Sequence, residues 1–206
     1  MAKFYGAHPD DIKFVEMEVT NLHKKHDSEE MTEYSNSREP QSKYKGFVIR
    51  GRKTGYGQLY YMNGDLQTKG TWYNDKLHGD NISSFYQYNN AKFKSFEGKM
   101  VEGLREGNGK EFYKNGKIMY DGGFNNDEWH GENVKIHHFD GELEYEGTIF
   151  KGMRQGFGRA YHDNGVLNYA GMWQDDKPIG NYIIIWDDKG EIRYEGPSED
   201  MFLGDY

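Results

Sequence analysis

Cysteine is absent from the 206 residues of this chain, and long apolar runs are absent as well. Without thiols the chain forms no disulfide bond and no thiolate metal site, and its redox compartment stays open. The longest apolar run, Tyr182 to Trp186, is far shorter than a membrane-spanning helix and is typical of one buried strand. The sequence therefore excludes disulfide scaffolds and predicts no membrane-spanning helix.

Clustered positive charge is lacking too. The chain has 26 Lys and Arg against 34 Asp and Glu, which gives a formal net charge of −8. Nucleic acids and anionic lipids both attract clustered cations, so we expect no nucleic-acid partner and disfavour a lipid surface. Membrane lipid stays possible only if the scattered cations gather on one edge of the fold. The cations in question are Arg50, Arg52, Lys53, Lys110, Lys114 and Lys117.

Aromatic residues are plentiful, although the apolar content of 35% is low. Four Trp, seventeen Tyr and twelve Phe make up 16% of the chain. A polar chain with this many rings does not resemble a disordered one. It predicts a thin, ordered structure in which aromatic ladders cover a shallow core.

One short pattern recurs through the chain at intervals of 24 to 28 residues. Each copy has a bulky residue two positions after a glycine and a second glycine nine positions on, and every copy but the second, which has Thr68, has an aromatic residue two positions before the first glycine. Such a period indicates an array of one small supersecondary unit. The structural glycines that begin the six copies are Gly46, Gly70, Gly98, Gly122, Gly147 and Gly171, with a truncated seventh copy at Gly196.

Each copy also ends in a turn signal, usually Asn-Gly, as at Asn63-Gly64 and Asn164-Gly165. Asn-Gly between apolar stretches predicts a hairpin with a type I′ turn. Neither stretch of a copy is long enough for a helix. We therefore predict an all-β fold, in which about six hairpins join edge to edge into a single-layer elongated antiparallel sheet.

The large side chains of this sheet should lie in ladders, because residues two or four apart share a face of a strand. We predict that one ladder is the interaction face: Trp72, Met100, Phe124, Ile149, Trp173, Tyr120, Tyr145 and Tyr169. A second ladder, fourteen residues after each first glycine, includes Ile136 and Ile185 and supplies an alternative face: Tyr60, Phe112 and Tyr161. Both ladders have core packing as their ordinary explanation.

The repeat resembles the MORN (membrane occupation and recognition nexus) family. The matching stretches include Tyr145-Glu-Gly147, Trp129-His-Gly131 and Glu106-Gly-Asn-Gly109. The resemblance covers residues 44–193 and implies a twisted, rod-like sheet. Three copies depart from the pattern, because Asn81, Asn133 and Tyr182 replace the glycine that follows two positions after the second one.

The two ends of the chain lie outside the six copies. For the N-terminal arm, residues 1–43, we predict a helix over residues 10–26 followed by a polar linker, with an extended strand over residues 15–19 as the alternative. Residues 194–206 contain the truncated seventh copy and an acidic C-terminal cap. The arm either caps the first hairpin or docks onto another subunit.

Catalytic and metal-binding constellations are not found in the sequence. The adjacent pair His137-His138 has acids nearby but lacks the ligand spacing of a closed metal site. A single-layer sheet also offers no obvious pocket for chemistry. We therefore expect no enzymatic activity, no catalytic residue, no cofactor and no metal.

The expected function is that of a structural scaffold that binds the protein subunits of a larger assembly. Exposed aromatic ladders are typical of such interfaces. The resemblance implies an axonemal or other cytoskeletal setting, in the cytoplasm or a cilium. The alternatives are a phospholipid-binding or membrane-tethering module, and an accessory subunit of a mitochondrial complex.

Overall fold

The computed structural model describes residues 11–19, 42–88 and 91–200, and within them the chain is almost entirely β-strand. In chain order, the strands are β1 (Ile12–Val19), β2 (Ser42–Ile49), β3 (Arg52–Tyr61), β4 (Leu66–Tyr73), β5 (Lys76–Leu77), β6 (Gly79–Tyr88), β7 (Ala91–Val101), β8 (Leu104–Phe112), β9 (Ile118–Asn125), β10 (Glu128–Trp129), β11 (Gly131–His137), β12 (Leu143–Phe150), β13 (Met153–Tyr161), β14 (Leu167–Gln174), β15 (Lys177–Ile179), β16 (Ile183–Trp186) and β17 (Ile192–Gly196). None of these residues forms a helix long and apolar enough to span a membrane.

The strands follow one another across a single open antiparallel sheet of fifteen strands, as the sequence predicts. The two-residue strands β5 and β10 pair only with the strands that precede them, β4 and β9. The last hairpin, β16 with β17, forms a separate two-stranded sheet. It is held beside β14 by side chains, among them His162, whose Nε2 lies 2.7 Å from the carbonyl oxygen of Trp186.

The predicted N-terminal helix is wrong over Ile12–Val19, which forms the strand β1. This strand pairs with β2 along its whole length, from Ile12 opposite Ile49 to Val19 opposite Ser42. The backbone of β2 would otherwise present an unpaired edge, and pairing satisfies it. The alternating pattern at residues 15–19 suits this role better than the helical stripe does. The predicted linker is also wrong at its C-terminal end, because β2 begins at Ser42. Residues 20–41 of the predicted helix and linker lie outside the described residues.

The first glycine of each repeat lies beneath the ring of the repeat's own aromatic residue or against a neighbouring side chain. Glycine is needed there because a Cβ at any of the six positions would come within 2.7 Å of another atom. At Gly46, that Cβ would lie 2.5 Å from the Tyr44 hydroxyl oxygen and 2.7 Å from the Cα of Gly57, its cross-strand neighbour. The glycine row is therefore a steric requirement of the packed ring.

In the four repeats whose covering residue is a tyrosine (Tyr44, Tyr120, Tyr145 and Tyr169), that tyrosine also makes a local hydrogen bond. Its hydroxyl donates to the carbonyl oxygen three residues later, as from Tyr145 to Thr148 at 3.0 Å and from Tyr169 to Met172 at 3.0 Å. These rings are at most 2% exposed. Burial raises the pKa of Tyr44 and of Tyr145 to about 12, so that the hydroxyl stays a donor further into the alkaline range than that of an exposed tyrosine.

Odd and even repeats differ, and the departures from the glycine pattern explain how. In odd repeats, the second strand continues the glycine row, as in Gly147 opposite Gly158 opposite Gly171. In even repeats, the backbone pairing of the second strand is interrupted after a short strand (β5, β10 or β15). A buried aliphatic residue then lies where the glycine row would continue. These aliphatic residues are Ile82, Val134 and Ile183, which are at most 4% exposed. The structural unit is therefore two repeats long.

The type I′ geometry predicted for the Asn-Gly turns is wrong. At Asn63-Gly64, only the glycine has positive φ, at 91°, and its N–H donates to the Tyr61 carbonyl oxygen at 2.9 Å. This pattern is that of a type I turn closed by a left-handed glycine. Pairs in which both residues have positive φ, such as Arg50-Gly51 (51° and 77°), lie at the opposite edge of the sheet.

The two lateral edges therefore carry different turns, and we name them accordingly. The Asn-Gly edge contains the turns at Asn63-Gly64, Asn115-Gly116, Asp140-Gly141 and Asn164-Gly165. The clamp edge is named for the side-chain contacts, described below, that join its neighbouring turns. It contains the turns at Arg50-Gly51, Asn74-Asp75, Glu102-Gly103, Asn126-Asp127, Lys151-Gly152 and Asp175-Asp176. Along the Asn-Gly edge, one turn bonds to the next, as from Asn115 Nδ2 to the Phe139 carbonyl oxygen at 2.6 Å.

We expect Gly122→Ala to lower the free energy of unfolding by about 3 kcal/mol, because overpacking a tight site costs about that much. The new Cβ would lie 2.7 Å from both the Tyr120 hydroxyl oxygen and Val134 Cγ1. The control is Gly116→Ala, at an open position with φ of 84°, for which the left-handed backbone alone costs about 1 kcal/mol. Urea denaturation of the two variants measures both values, and equal losses would contradict the steric role of the first glycine.

Candidate functional site

The predicted interaction face lies in the core, which is a correction to the sequence analysis. Its eight residues are between 0% and 9% exposed, so they have almost no surface to offer a partner. They pack edge to face against one another, as in Tyr145 and Trp173, whose ring centroids are 5.7 Å apart at 88°. We call the face that they occupy the inner face. These side chains are buried because they pack on one another and on the glycines of the sheet.

The alternative face lies on the other side of the sheet, which we call the outer face. Tyr60, Phe112 and Tyr161 are half-buried there, and Tyr161 donates its hydroxyl hydrogen to Glu146 Oε1 at 3.0 Å. Ile136 and Ile185, at the same offset in even repeats, pack against the core instead. The broken ladder of the even repeats shifts the alternation of side chains by one position. Binding through Tyr60, Phe112 and Tyr161 stays a prediction.

A repeated clamp joins neighbouring turns along the clamp edge. Asp176 Oδ1 accepts hydrogen bonds from the backbone N–H of Arg154 at 2.9 Å and from its Nε at 3.1 Å. The Arg154 guanidinium in turn lies over Trp173, 4.2 Å from its ring centroid. The other two clamps, each with its cation, acid and ring, are Lys53 with Asp75 and Trp72, and Arg105 with Asp127 and Phe124.

The buried indole N–H groups of the inner face differ in whether they have a hydrogen-bond partner. Among the described residues, Trp72 Nε1 and Trp173 Nε1 are buried without a hydrogen-bond partner. Trp129, in contrast, donates to Glu111 Oε2 at 2.5 Å and stacks on Tyr120 with ring centroids 4.4 Å apart. Glu111 stands on the inner face between Phe96 and Tyr120 and also pairs with the Arg105 guanidinium. Among the described residues, Trp129 therefore has the polar partner that Trp72 and Trp173 lack.

The outer face carries one row of charged residues of largely alternating sign across the sheet. Lys110 lies 2.9 Å from Asp121, and Arg159 lies 3.1 Å from Glu146. By strand register, the row runs through Glu16, Lys45, Gln58, Lys69, Ser83, Glu97, Lys110, Asp121, Lys135, Glu146, Arg159 and Ala170. Opposite charges face each other along much of it, so the row neutralises itself.

The six scattered cations do not gather on one edge. Arg50 and Arg52 flank a turn of the clamp edge, and Lys53 belongs to a clamp. Lys110 lies in the middle of the outer face, while Lys114 and Lys117 flank a turn of the Asn-Gly edge. The condition that would favour an anionic lipid surface is therefore not met.

An open cleft of about 390 Å³ crosses the inner face between the fourth and fifth repeats. It runs from Tyr113 and Glu144 near the Asn-Gly edge to Arg154 and Asp176 at the clamp edge. Its lining is otherwise mostly apolar: Met119, Trp129, Ile136, Tyr145, Ile149 and Gly152. The described residues that line it include no serine, threonine, lysine or histidine.

The histidine pair lies at the Asn-Gly edge beside this cleft. His138 Nδ1 is 3.4 Å from Asp163 Oδ1 and 3.8 Å from Glu144 Oε2. His137 Nδ1 is 3.2 Å from the carbonyl oxygen of Gly141. Within residues 11–19, 42–88 and 91–200, no group of three or more His, Asp or Glu side chains could hold a metal ion.

Neither the clamps nor the cleft is among the features predicted from the sequence. The clamps have a readable signal, since the cations follow the odd glycines by seven positions and the acids follow the even glycines by five. That signal appears only once the repeats are aligned in pairs. The cleft has no such signal, because its lining residues, Trp129 among them, come from several different repeats.

The comparison with family models agrees with the paired arrangement. A model of the MORN repeat matches residues 44–66, 69–79, 96–118 and 145–166. The chain is a MORN repeat protein. The three long matches cover the odd repeats, whereas the even repeats are matched only over residues 69–79. No curated protein matches the chain.

MORN repeats are commonly protein or lipid interaction modules, and the family is generally non-enzymatic. The inner face of this MORN repeat protein is used for packing, and its outer face carries paired charges. The cleft is therefore the apolar concavity best suited to hold part of another molecule.

We expect Asp127→Ala to lower the free energy of unfolding by about 2 kcal/mol, because hydrogen bonds to a charged group are worth about that much. The change removes the acceptor for Arg105 N, at 2.8 Å, and Arg105 Nε, at 3.0 Å, at a residue with φ of 69°. Asp127→Asn should lose only about half as much free energy of unfolding as Asp127→Ala, since an amide oxygen still accepts and Asn tolerates positive φ.

The matched control for this clamp is Asp163→Ala, whose side chain is 89% exposed and which should stay within about 0.5 kcal/mol of the parent. Urea denaturation is the measurement. Equal free energies of unfolding for Asp127→Ala and Asp163→Ala would contradict the structural role of the clamp.

Proposed function

We propose that this MORN repeat protein is a non-enzymatic scaffold that binds protein subunits of a larger assembly. The observation that carries the proposal is the cleft, which is open and mostly apolar and whose described lining includes no serine, threonine, lysine or histidine. At the clamp edge, the charged residues of the cleft already serve the fold, since Arg154 contacts Asp176 and Trp173. Concave apolar surfaces of this kind suit binding rather than chemistry.

Protein is a better partner than lipid or nucleic acid for reasons of charge. The net charge of −8 disfavours both polyanions. On the outer face, lysines and arginines lie opposite acids, as in Lys110 beside Asp121, and few are free to meet a headgroup. We propose no cofactor and no metal for this function.

The assembly that we propose is axonemal or otherwise cytoskeletal, in the cytoplasm or a cilium. The family resemblance supports this setting, because proteins with such repeats occur in axonemes and in scaffolds of the cytoskeleton. A membrane tether and a mitochondrial subunit are the competing settings, and they make different predictions in a cell.

Fractionation of cells that express a tagged full chain tests the proposal. A cytoskeletal scaffold should stay in the insoluble fraction after non-ionic detergent, with axonemal or cytoskeletal markers. Release by detergent together with membrane markers would contradict the proposal and favour the tether. Enrichment with mitochondria would favour the mitochondrial subunit. Sedimentation with phosphatidylserine vesicles at low salt gives a second readout, in which we expect the chain to stay in the supernatant.

A further inference from the structure

We propose that the cleft between the fourth and fifth repeats binds a basic segment of a partner protein through an apolar side chain flanked by lysine or arginine. This inference rests on the proposed function and adds the chemistry of the partner. The repeats place one apolar floor and one acidic end in the same cleft.

The floor of the cleft is rigid and apolar. Trp129 is fixed by stacking on Tyr120 and by donating to Glu111 Oε2 at 2.5 Å. Ile149 is 1% exposed and Tyr145 is 0% exposed, so both support the floor from the core and offer no surface themselves. The apolar surface open to a partner is that of the half-buried Met119, Trp129 and Ile136. A preformed apolar floor binds an apolar side chain with little loss of conformational entropy.

Only one end of the cleft has an unneutralised charge. At the clamp edge, Asp176 lies 3.1 Å from Arg154 Nε, so the two charges compensate each other. At the Asn-Gly edge, Glu144 is 41% exposed, and its nearest basic group is His138 at 3.8 Å. Among the described residues, no lysine or arginine forms an ion pair with Glu144, so this carboxylate is available to a cation of the partner.

The surroundings of Glu144 add negative charge to that end. Asp163 lies on the other side of His138, at 3.4 Å, and is 89% exposed. Lys117, the nearby cation of the neighbouring turn, directs its ammonium group to the carbonyl oxygen of Asp140 and not to a carboxylate side chain. Complementarity therefore favours a cation on the partner, placed just beyond the apolar side chain that fills the cleft.

The test uses the folded full chain and three short fluorescent peptides of alternating residues: Leu-Lys, Leu-Glu and Ser-Lys. Fluorescence anisotropy measures the Kd of each. We expect the Leu-Lys peptide to bind and the other two to bind at least about tenfold more weakly, a difference equivalent to about 1.4 kcal/mol. Equal binding of Leu-Lys and Leu-Glu would overturn the charge preference. Equal binding of Leu-Lys and Ser-Lys would overturn the apolar anchor.

Two charge reversals separate the cleft from general electrostatics. Glu144→Lys should weaken binding of the Leu-Lys peptide about tenfold, because it replaces an attraction by a repulsion at a partly exposed site. Glu132→Lys changes the net charge equally at an exposed position of β11 that does not line the cleft, and should leave the Kd unchanged. Circular dichroism checks that both variants are folded. An equal loss in both variants would show non-specific attraction and overturn the site.

Other occupants would also be visible in this design. Self-association of the chain in sedimentation equilibrium, lost in Glu144→Lys and kept in Glu132→Lys, would assign the cleft to a second copy and contradict the proposal. A chain that fractionates with the cytoskeleton but binds none of the peptides would refute this inference alone. A chain that binds the Leu-Lys peptide through the cleft but fractionates with membranes would refute the assembly alone.

Discussion

The packing of a tyrosine ring on a glycine backbone is the interaction on which the rest of this fold depends. A single-layer sheet has no second layer to cover its inner face, so its side chains have to cover its own backbone. Tyr145 does this by lying across Gly147 and Gly158, where a Cβ would come within 2.7 Å of another atom. Its hydroxyl then satisfies the carbonyl oxygen of Thr148. The ring thus buries apolar surface and fixes the path of the strand in the same contact.

The alternation of odd and even repeats follows from what lies beyond each glycine row. In an odd repeat, the next strand offers another glycine, and the sheet continues without a break. In an even repeat, an aliphatic side chain such as Val134 occupies the place of that glycine row, and the ladder breaks. Seven positions after the even glycines stand Leu77, Trp129 and Pro178. The large ring of Trp129 gives the fourth repeat its cleft, and with it the surface that we assign to a partner.

Much of the fold could be predicted from the sequence, because the residues that define the repeat determine the local backbone conformation. A glycine at fixed spacing and a turn signal at each unit determine strands, turns and an open antiparallel sheet. The turn geometry could not be predicted, since Asn63-Gly64 fits two turn types and the bonds of neighbouring strands select between them. The strand Ile12–Val19 was ambiguous for a similar reason, because the available edge of β2 decides its conformation.

The interaction face was placed wrongly, since a row of large side chains has the same sequence pattern whether it is exposed or buried. Its burial depends on the breaks in the ladder, and these become visible only when repeats are compared in pairs.

The most direct measurement of the central contact is a double-mutant cycle between Tyr169 and Gly171. A Cβ at Gly171 would have Tyr169 ring and hydroxyl atoms as its three closest neighbours, and the glycine is not in the left-handed region. Urea denaturation gives the free energy of unfolding of Gly171→Ala, Tyr169→Ala and the double variant. If the ring requires the glycine, Gly171→Ala should cost about 2 kcal/mol in the parent and almost nothing in the Tyr169→Ala background. An equal cost in both backgrounds would contradict the account, because the glycine would then serve the backbone and not the ring.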